Sequence, residues 1–578
     1  MDRVTLFSSE LYFCKTLKKG KIIMSIINII KIALKDVNDT QCQMLTMKTF
    51  AVQCKLDHKQ EIAFESICSS FMLSLLIESE EDENKIFQSQ LLQRGAREQL
   101  LMFLTGSAGS GKSYVICCCR SFCKNFCKAI GKTYSKNVFA VTGVSGVAAS
   151  MARGNTSHLS AMLANHVTYN EIYSDILWMD TKLLVIEGIS MAEKSLLIKL
   201  DKTLRKWTNR TNFLYGGIHI VFVGDFYQIP PVVGKPVYDD FGDIYWHGSL
   251  NACIMLDQCM YRYTADPEWG DILSRIRVGS VTTDDVEKIN TRLLGNVTLT
   301  EKVDCMDTRV TYACTTNKRR NEVINECFQR YVRENSPTYS SDSEALPSAI
   351  LIKGDVSRNG VLLGTEFHQM LWSICCDHNV IGSTQVKVDP CLKLFFGCPL
   401  LITCNTLQKR KLITKGTSVN YAGIKWKAGF SPETENYCGF KVLSGSVHNI
   451  ESLYVQLESK AIRELKPEIF LVEIRADESS EVLRGFEVTQ FAVNVNLAAT
   501  VHSMEGMTKD IVIVADESKK SPWWLYVILS RVTSLNGLFL LKPVTRKMLL
   551  PRSGNLVREA MWLREVELDF IRHIETHD

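Results

Sequence analysis

No stretch of this chain is apolar for long enough to cross a bilayer. The best candidate, Ile22 to Leu34, is 13 residues long and carries Lys31, whereas a spanning helix needs about 20 residues. Nothing therefore points to a membrane partner. A C-x-x-C pair is also missing, although there are 20 cysteines, which removes the paired spacings of a zinc site. Free thiols in that number fit a reducing, intracellular setting. Cys119, Cys123 and Cys127 recur every four residues along one helical face. A metal cluster and a buried face of small apolar residues both fit that spacing, and the second asks less of the chain. Charge of one sign is lacking too: 67 Lys and Arg stand against 63 Asp and Glu, a net charge of +4. A groove for nucleic acid would have to be a local patch. Internal repeats and coiled-coil heptads are absent.

What is present is an ordinary globular composition, 46% hydrophobic and 22% charged over 578 residues, enough for about three or four domains. Residues 1–50 carry no motif. Lys18, Lys19 and Lys21 precede the apolar run, but Asp2 and Glu10 argue against a cleaved presequence, so an N-terminal helix of unknown role is expected. A helix begins near Leu56 to Phe64, with Asp57 as N-cap and Glu61 nearby. The acidic run Glu78 to Glu83 reads as a solvated loop. From Leu100 onward, apolar strands at 100–104, 138–141, 183–186 and 218–223 alternate with helical segments. That is the pattern of a doubly wound α/β domain with ligands at the carboxyl ends of its strands. A second set of strands, 309–314, 511–515 and 538–541, predicts a second α/β domain. Between them, Ser336 to Gly485, Ser, Asp, Gly and Pro punctuate short strand-like runs, the mark of a β-rich insertion.

The strongest motif is Gly106-Ser107-Ala108-Gly109-Ser110-Gly111-Lys112-Ser113, which fits the phosphate-binding loop G-x-x-x-x-G-K-[ST]. A buried strand precedes it and a helix follows, the context the motif requires. Glycines let the backbone curl its N–H groups toward phosphate oxygens, and the helix N-terminus adds its positive end. Lys112 should reach the β- and γ-phosphates, and the Ser113 hydroxyl should help hold Mg²⁺. Such a loop needs a neighbouring strand that ends in carboxylates. Leu183-Leu184-Val185-Ile186-Glu187 supplies Glu187. A third strand ends in Gly224-Asp225-Phe226-Tyr227-Gln228-Ile229-Pro230-Pro231, where Gln228 could sense the γ-phosphate or orient water.

With these residues in view, the chain resembles the Pif-one helicases, the superfamily-one group related to RecD, over about residues 50–550. Glu187 to Met191 resembles the family's Asp-Glu-Ile-Ser-Met. Leu200-Asp201, Leu204-Arg205 and Gly216-Gly217 fit its signature segment. Leu56 to Phe64, with Gln60, resembles the adenine-reading Q motif. Arg262 sits at the fourth-motif arginine, and Ile272 to Gly279 fits downstream. Thr315-Thr316-Asn317, with Asn325, resembles the start of the second motor domain. Lys393 to Asn405 and Gly416-Thr417 resemble the inserted β domain. Thr500 to Gly506 resembles the fifth motif, and Tyr526 to Val532, with Arg531, the sixth.

The resemblance implies an α/β fold of two RecA-like doubly wound motor domains with a small SH3-like β insertion in the second. The expected divisions are 1–50, 51–250 (first motor), 251–335 and 486–578 (second motor) and 336–485 (insertion). It implies ATP and Mg²⁺ as cofactors, with Gly506 and the loop at the nucleotide and Arg262 and Arg531 as clamps on the γ-phosphate. Thr142, Gly143, His158, Thr500 and His502 would hold DNA phosphates. The implied activity is 5′-to-3′ movement on single-stranded DNA and unwinding of forked or tailed duplex, by a monomer, in repair, recombination or telomere maintenance. The nucleus, or else the mitochondrion, is the implied compartment. Two departures stand out. Gly188 replaces the family's second-motif Glu and can polarise nothing, and loss of a general base costs ~10²–10⁴-fold in rate. Ser503 and Tyr263 stand where the family often has Lys and Gln. An ATP-gated, single-strand-binding protein with little hydrolysis is therefore the rival reading. A metabolic P-loop kinase explains neither the second motor domain nor Arg531.

Overall fold

The computed structural model describes residues 45–575 apart from 77–88, 131–133, 135–137, 145–179, 232–233, 241–242, 258–263, 296–308, 341–346, 365, 367–380, 383–388, 405, 409–410, 414–415, 475–482, 505, 516–523 and 551–553. The expected N-terminal helix, the acidic run at 78–83, His158, Arg262 and Tyr263 lie outside the described residues. The chain divides into two compact units. One is residues up to Thr264 together with those from Arg552 on, and the other is Ala265–Pro551.

The first unit is built on five parallel strands: β1 (Leu101–Gly106), β2 (Phe139–Gly143), β3 (Leu183–Glu187), β4 (His219–Gly224) and β5 (Ala252–Leu256), in the order β2-β3-β4-β1-β5. All six residues of β1 and all six of β4 are buried. A continuous apolar run is what a strand covered on both faces requires. Helices α1 (Met47–Gln53), α2 (His58–Leu76) and α3 (Lys112–Ala129) cover one part of the sheet. Phe50, Phe64 and Phe122 meet there with ring centroids 5.5–5.7 Å apart. Cys119, Cys123 and Cys127 lie in this same core, so the every-fourth-residue cysteines are the apolar face of α3. Helix α4 (Lys194–Thr208) follows β3.

The second unit carries helices α5 (Pro267–Val278), α6 (Thr283–Asn290) and α7 (Asn317–Asn335) and strand β6 (Val310–Cys314). Beyond the insertion come β7 (Ala498–Thr500), α8 (Val501–Met504), β8 (Ile511–Val514), α9 (Trp524–Leu529) and β9 (Leu538–Leu540). The four strands form a parallel sheet in the order β7-β6-β8-β9. The insertion supplies two five-stranded sheets, one four-stranded sheet and one hairpin among the described residues, nearly all antiparallel. The fold is thus α/β with two RecA-like units, as expected.

Three boundaries differ from the expectation. Residues 252–256 were expected in the second motor domain, yet β5 pairs with β1 across Met102↔Ala252 to Gly106↔Leu256 and closes the first sheet. The last helix, α10 (Gly554–Glu575), was expected in the second motor domain and belongs to the first unit. Its Glu559 accepts from Trp246 Nε1 at 2.8 Å and meets His247 Nε2 at 2.7 Å. Its Glu567 accepts from the Met255 N–H at 2.7 Å and pairs with Lys59 at 3.2 Å. The insertion also runs past 485: strands Leu483–Phe491 and Val493–Val495 still pair with insertion strands.

Candidate nucleotide site and strand-binding residues

The phosphate loop joins the end of β1 to the start of α3. Gly106, Gly109 and Gly111 have φ of 150°, 84° and 90°, values that side chains with a Cβ avoid. Ser107 is half-buried and Ala108 buried in the same turn. The Ser110 hydroxyl is buried and makes no hydrogen bond among the described residues. A buried hydroxyl without a partner inside a cradle of curled backbone suits an anionic guest that would supply the acceptor. Lys112 Nζ donates to the Gly106 and Ser107 carbonyls at 2.8 and 2.9 Å, so the ammonium already lies over the loop. The turn is held from behind by Gln60, whose amide nitrogen donates to the Ser110 carbonyl at 3.0 Å.

Two strands away, β3 delivers Glu187. The Ser113 hydroxyl donates to Glu187 Oε1 at 3.2 Å. This pair joins a hydroxyl and a carboxylate, hard oxygen donors of the kind Mg²⁺ selects. Burial pushes the Glu187 carboxyl above its ordinary pKa, while the Lys112 charge and the Ser113 bond pull it down. Gly188, next in the chain, has φ 76° and ψ 32° and opens a 3₁₀ turn over Ile189–Met191. This is a left-handed backbone, so a family-type Glu here would be strained. Gln228 follows β4 in a turn closed by its own N–H to the Asp225 carbonyl at 2.8 Å and by Tyr227 N–H to Asp225 Oδ1 at 3.1 Å. It is buried. The signature segment is tied together by Asp201, which accepts from Arg205 Nε at 2.8 Å and from the Tyr215 N–H at 2.6 Å.

The expected strand-binding residues fall at strand ends. Thr142 is buried and Gly143 pairs with Glu187, so β2 and β3 end level. Thr500 ends β7 opposite Cys314. Ser503, which stands in place of a family Lys, turns inward: its hydroxyl donates to the Thr500 carbonyl at 2.7 Å and meets Thr500 Oγ1 at 3.2 Å. His502 is half-buried on α8, and Gly506 follows with φ 79°.

Arg531 departs most from expectation. The resemblance makes it a clamp on a γ-phosphate, yet its side chain is fully buried. Nε donates to the Val527 carbonyl at 2.6 Å, Nη1 to the Met504 and Met507 carbonyls at 3.3 Å, and Nη2 to Ser530 Oγ at 2.6 Å. Here it bolts the fifth-motif turn to the sixth-motif helix α9. Sequence reasoning missed this, along with Glu559 and Glu567. The one available signal was a pair of glutamates eight residues apart on the buried face of an amphipathic helix.

Fold and site together define a P-loop protein of RecA-like build. Among known proteins, residues 79–245 match the model of the PIF1-like helicase family. The ATP-dependent DNA helicase RRM3 of Saccharomyces cerevisiae is 29% identical over 215 residues, which cover 35% of this chain and 28% of that protein. The ATP-dependent DNA helicase PIF1 of Homo sapiens is 24% identical over 458 residues, 76% of this chain and 57% of that protein. The chain thus spans less than a third of the first of these relatives. Among solved structures, Pif1 helicase from Candida albicans superposes with a TM-score of 0.55 at 20% identity, covering 90% of this chain and 99% of that one. Pif1 helicase from Bacteroides in complex with ADP-AlF3 and ssDNA gives 0.54 at 19%, covering 81% and 95%. The chain is thus similar to the PIF1-like helicases over these stretches, as its motifs indicated.

Proposed function

We propose that this chain is an ATP-dependent DNA helicase or translocase that couples hydrolysis to 5′-to-3′ movement on single-stranded DNA and opens forked or tailed duplex. The observation that carries the reading is the phosphate loop itself: Lys112 over the loop, the Ser110 hydroxyl buried without a partner among the described residues, and Ser113 3.2 Å from Glu187. In this reading the loop N–H groups and Lys112 bind the triphosphate, and Ser113 and Glu187 would hold Mg²⁺, which offsets phosphate charge. Gln228, in a turn beside the second motif, orients water. Thr142, Gly143, Thr500 and His502, at the ends of their strands, grip the phosphates of the strand, with His158 and Arg262 taking the roles the resemblance assigns. Buried Arg531 serves by locking the fifth motif to the sixth. In this reading the chain acts as a monomer on genomic DNA in repair, recombination or telomere maintenance, in the nucleus or the mitochondrion.

A second reading, ATP-gated strand binding with little hydrolysis, is favoured by Gly188, which offers no carboxylate where one polarises water. Phosphate release with and without single-stranded DNA separates the two. The helicase reading expects stimulation by DNA and its loss in Lys112→Ala with the fold retained. Strand binding that responds to ATP without phosphate release would replace it by the second reading. A Lys112→Ala chain that unwinds at the normal rate would remove the loop assignment altogether.

A further inference from the structure

Strand β5 is the outer strand of the first sheet, and among the described residues no strand pairs with its far edge. Such an edge leaves backbone N–H and C=O groups that need partners. At Met255 both partners are side chains. Glu567 of α10 accepts from the Met255 N–H at 2.7 Å, and Lys59 of α2 donates to the Met255 carbonyl at 3.0 Å. The same two side chains pair with each other at 3.2 Å, and Lys59 also meets Asp257 Oδ2 at 2.9 Å. Glu567 is buried. One ion pair thus grips both backbone polar groups of a single residue. The next residue, Leu256, pairs with Gly106, where the phosphate loop begins. A Cβ built on Gly106 would lie 2.4 Å from the Leu256 carbonyl and 2.6 Å from Ser110 Oγ. The end of β5 is therefore one wall of the loop.

On the nucleotide reading given above, we propose that Glu567, paired with Lys59, is a positioning residue for the phosphate loop and acts through the backbone of β5. A trans peptide points its C=O and its N–H in opposite directions. Holding the Met255 carbonyl on Lys59 therefore turns the Leu256 N–H away from Lys59, and Glu567 fixes the peptide before it. With both peptides set, the Leu256 carbonyl is seated against Gly106, whose own carbonyl accepts from Lys112 Nζ at 2.8 Å. Without the clamp the strand end is released, and the loop loses the wall that sets its first turn. The last helix of the chain thereby tunes the nucleotide site.

A pair that only capped the sheet edge would support stability and leave the ligand alone. The full chain is titrated calorimetrically with the Mg²⁺ complexes of ATP and of inorganic tripolyphosphate, each variant being folded at the working temperature. Glu567→Ala removes the acceptor and should weaken both ligands by about tenfold, the scale of one buried hydrogen bond. Glu567→Gln still accepts from Met255 and Lys59 and should bind as the wild type does. Leu563→Ala, on the same buried face of α10, loosens the helix without removing either hydrogen bond to Met255. It should lower the denaturation midpoint and leave both affinities unchanged. Wild-type affinity in folded Glu567→Ala overturns the proposal. So does an equal weakening in Leu563→Ala, or a Gln variant as weak as the Ala one. If Glu567→Ala does not fold, Lys59→Met, which removes the donor to the Met255 carbonyl, carries the test with the same expected loss. A wild-type chain that binds neither ligand overturns the nucleotide reading itself, and this proposal with it.

Discussion

Gly188 and Glu187 are adjacent, yet their backbones ask for different residues. Glu187 is the last residue of a buried strand, where an extended chain aims its carboxylate at Ser113. Gly188 turns the chain at φ 76°, a conformation that costs any other L-residue ~1–2 kcal/mol. Gly188→Glu therefore brings two effects of opposite sense. It should raise DNA-stimulated turnover at saturating ATP by at least ~10-fold, the low side of general-base effects. It should also lower the denaturation midpoint of the first unit. Turnover no faster than wild type would mean that another group already polarises the water. A second residue-scale expectation concerns His219, buried at the start of β4, where its Nδ1 accepts from the Leu100 N–H at 2.8 Å. Burial first, and then the Lys182 charge, lower its pKa from 6.5 to about 4. The folded state resists protonation while the unfolded chain takes the proton as pH falls through 6.5. Stability is thus full above 6.5 and declines toward pH 4, by about 2 kcal/mol at pH 5. Urea midpoints between pH 7.5 and 5 should show this slope, and His219→Gln should flatten it. An unchanged slope in the variant would sink the assignment.

At the scale of elements, the fifth and sixth motifs behave as one piece. The turn after α8 presents the Met504 and Met507 carbonyls, and the C-terminal end of α9 presents the Val527 carbonyl. The Met504 and Val527 carbonyls also accept from the Met507 N–H at 3.0 Å and the Ser530 hydroxyl at 2.9 Å. Arg531 meets them with a planar fork that no lysine reproduces. Arg531→Lys should therefore destabilise the second unit by ~2–4 kcal/mol, because a buried cation loses most of its hydrogen bonds. Activity and stability should fall together, read as phosphate release beside limited proteolysis or denaturation. An arginine that only reached out to a phosphate would lose activity and leave stability unmoved. That outcome would refute the bolt.

At the scale of the whole molecule, the first unit is completed by the far end of the chain. Leu556, Leu563 and Phe570 are buried at seven-residue spacing along α10, and Glu559 and Glu567 receive three buried or half-buried donors from residues 59, 246 and 255. Ending the chain after Pro551 removes those apolar contacts, each worth ~1.5–3 kcal/mol. It also leaves the Trp246 indole N–H buried without its acceptor, a further ~1–3 kcal/mol. The shortened chain should melt well below the full one or aggregate. Equal midpoints for the two would show that α10 contributes nothing to the first unit.

Local chemistry made much of this protein legible. The phosphate loop follows from its glycines and lysine. The buried strands β1 and β4, and β3 up to Glu187, follow from unbroken apolar runs, and the cysteine face of α3 from a four-residue spacing. Each depends on neighbours close along the chain, which is the range over which periodicity and turn chemistry carry information. Which partner covers a buried surface is not of that kind. Ala252–Leu256 reads as an apolar strand wherever it pairs, and only its register against β1 places it in the first sheet. Helix α10 reads as amphipathic in any setting, and only the Trp246 and Met255 donors show which unit its glutamates serve. Arg531 has the same motif neighbours whether it faces a ligand or the carbonyls of Met504 and Met507. Burial and hydrogen-bond satisfaction, summed over contacts that for β5 and α10 lie about 150 to 313 residues apart, decided these three.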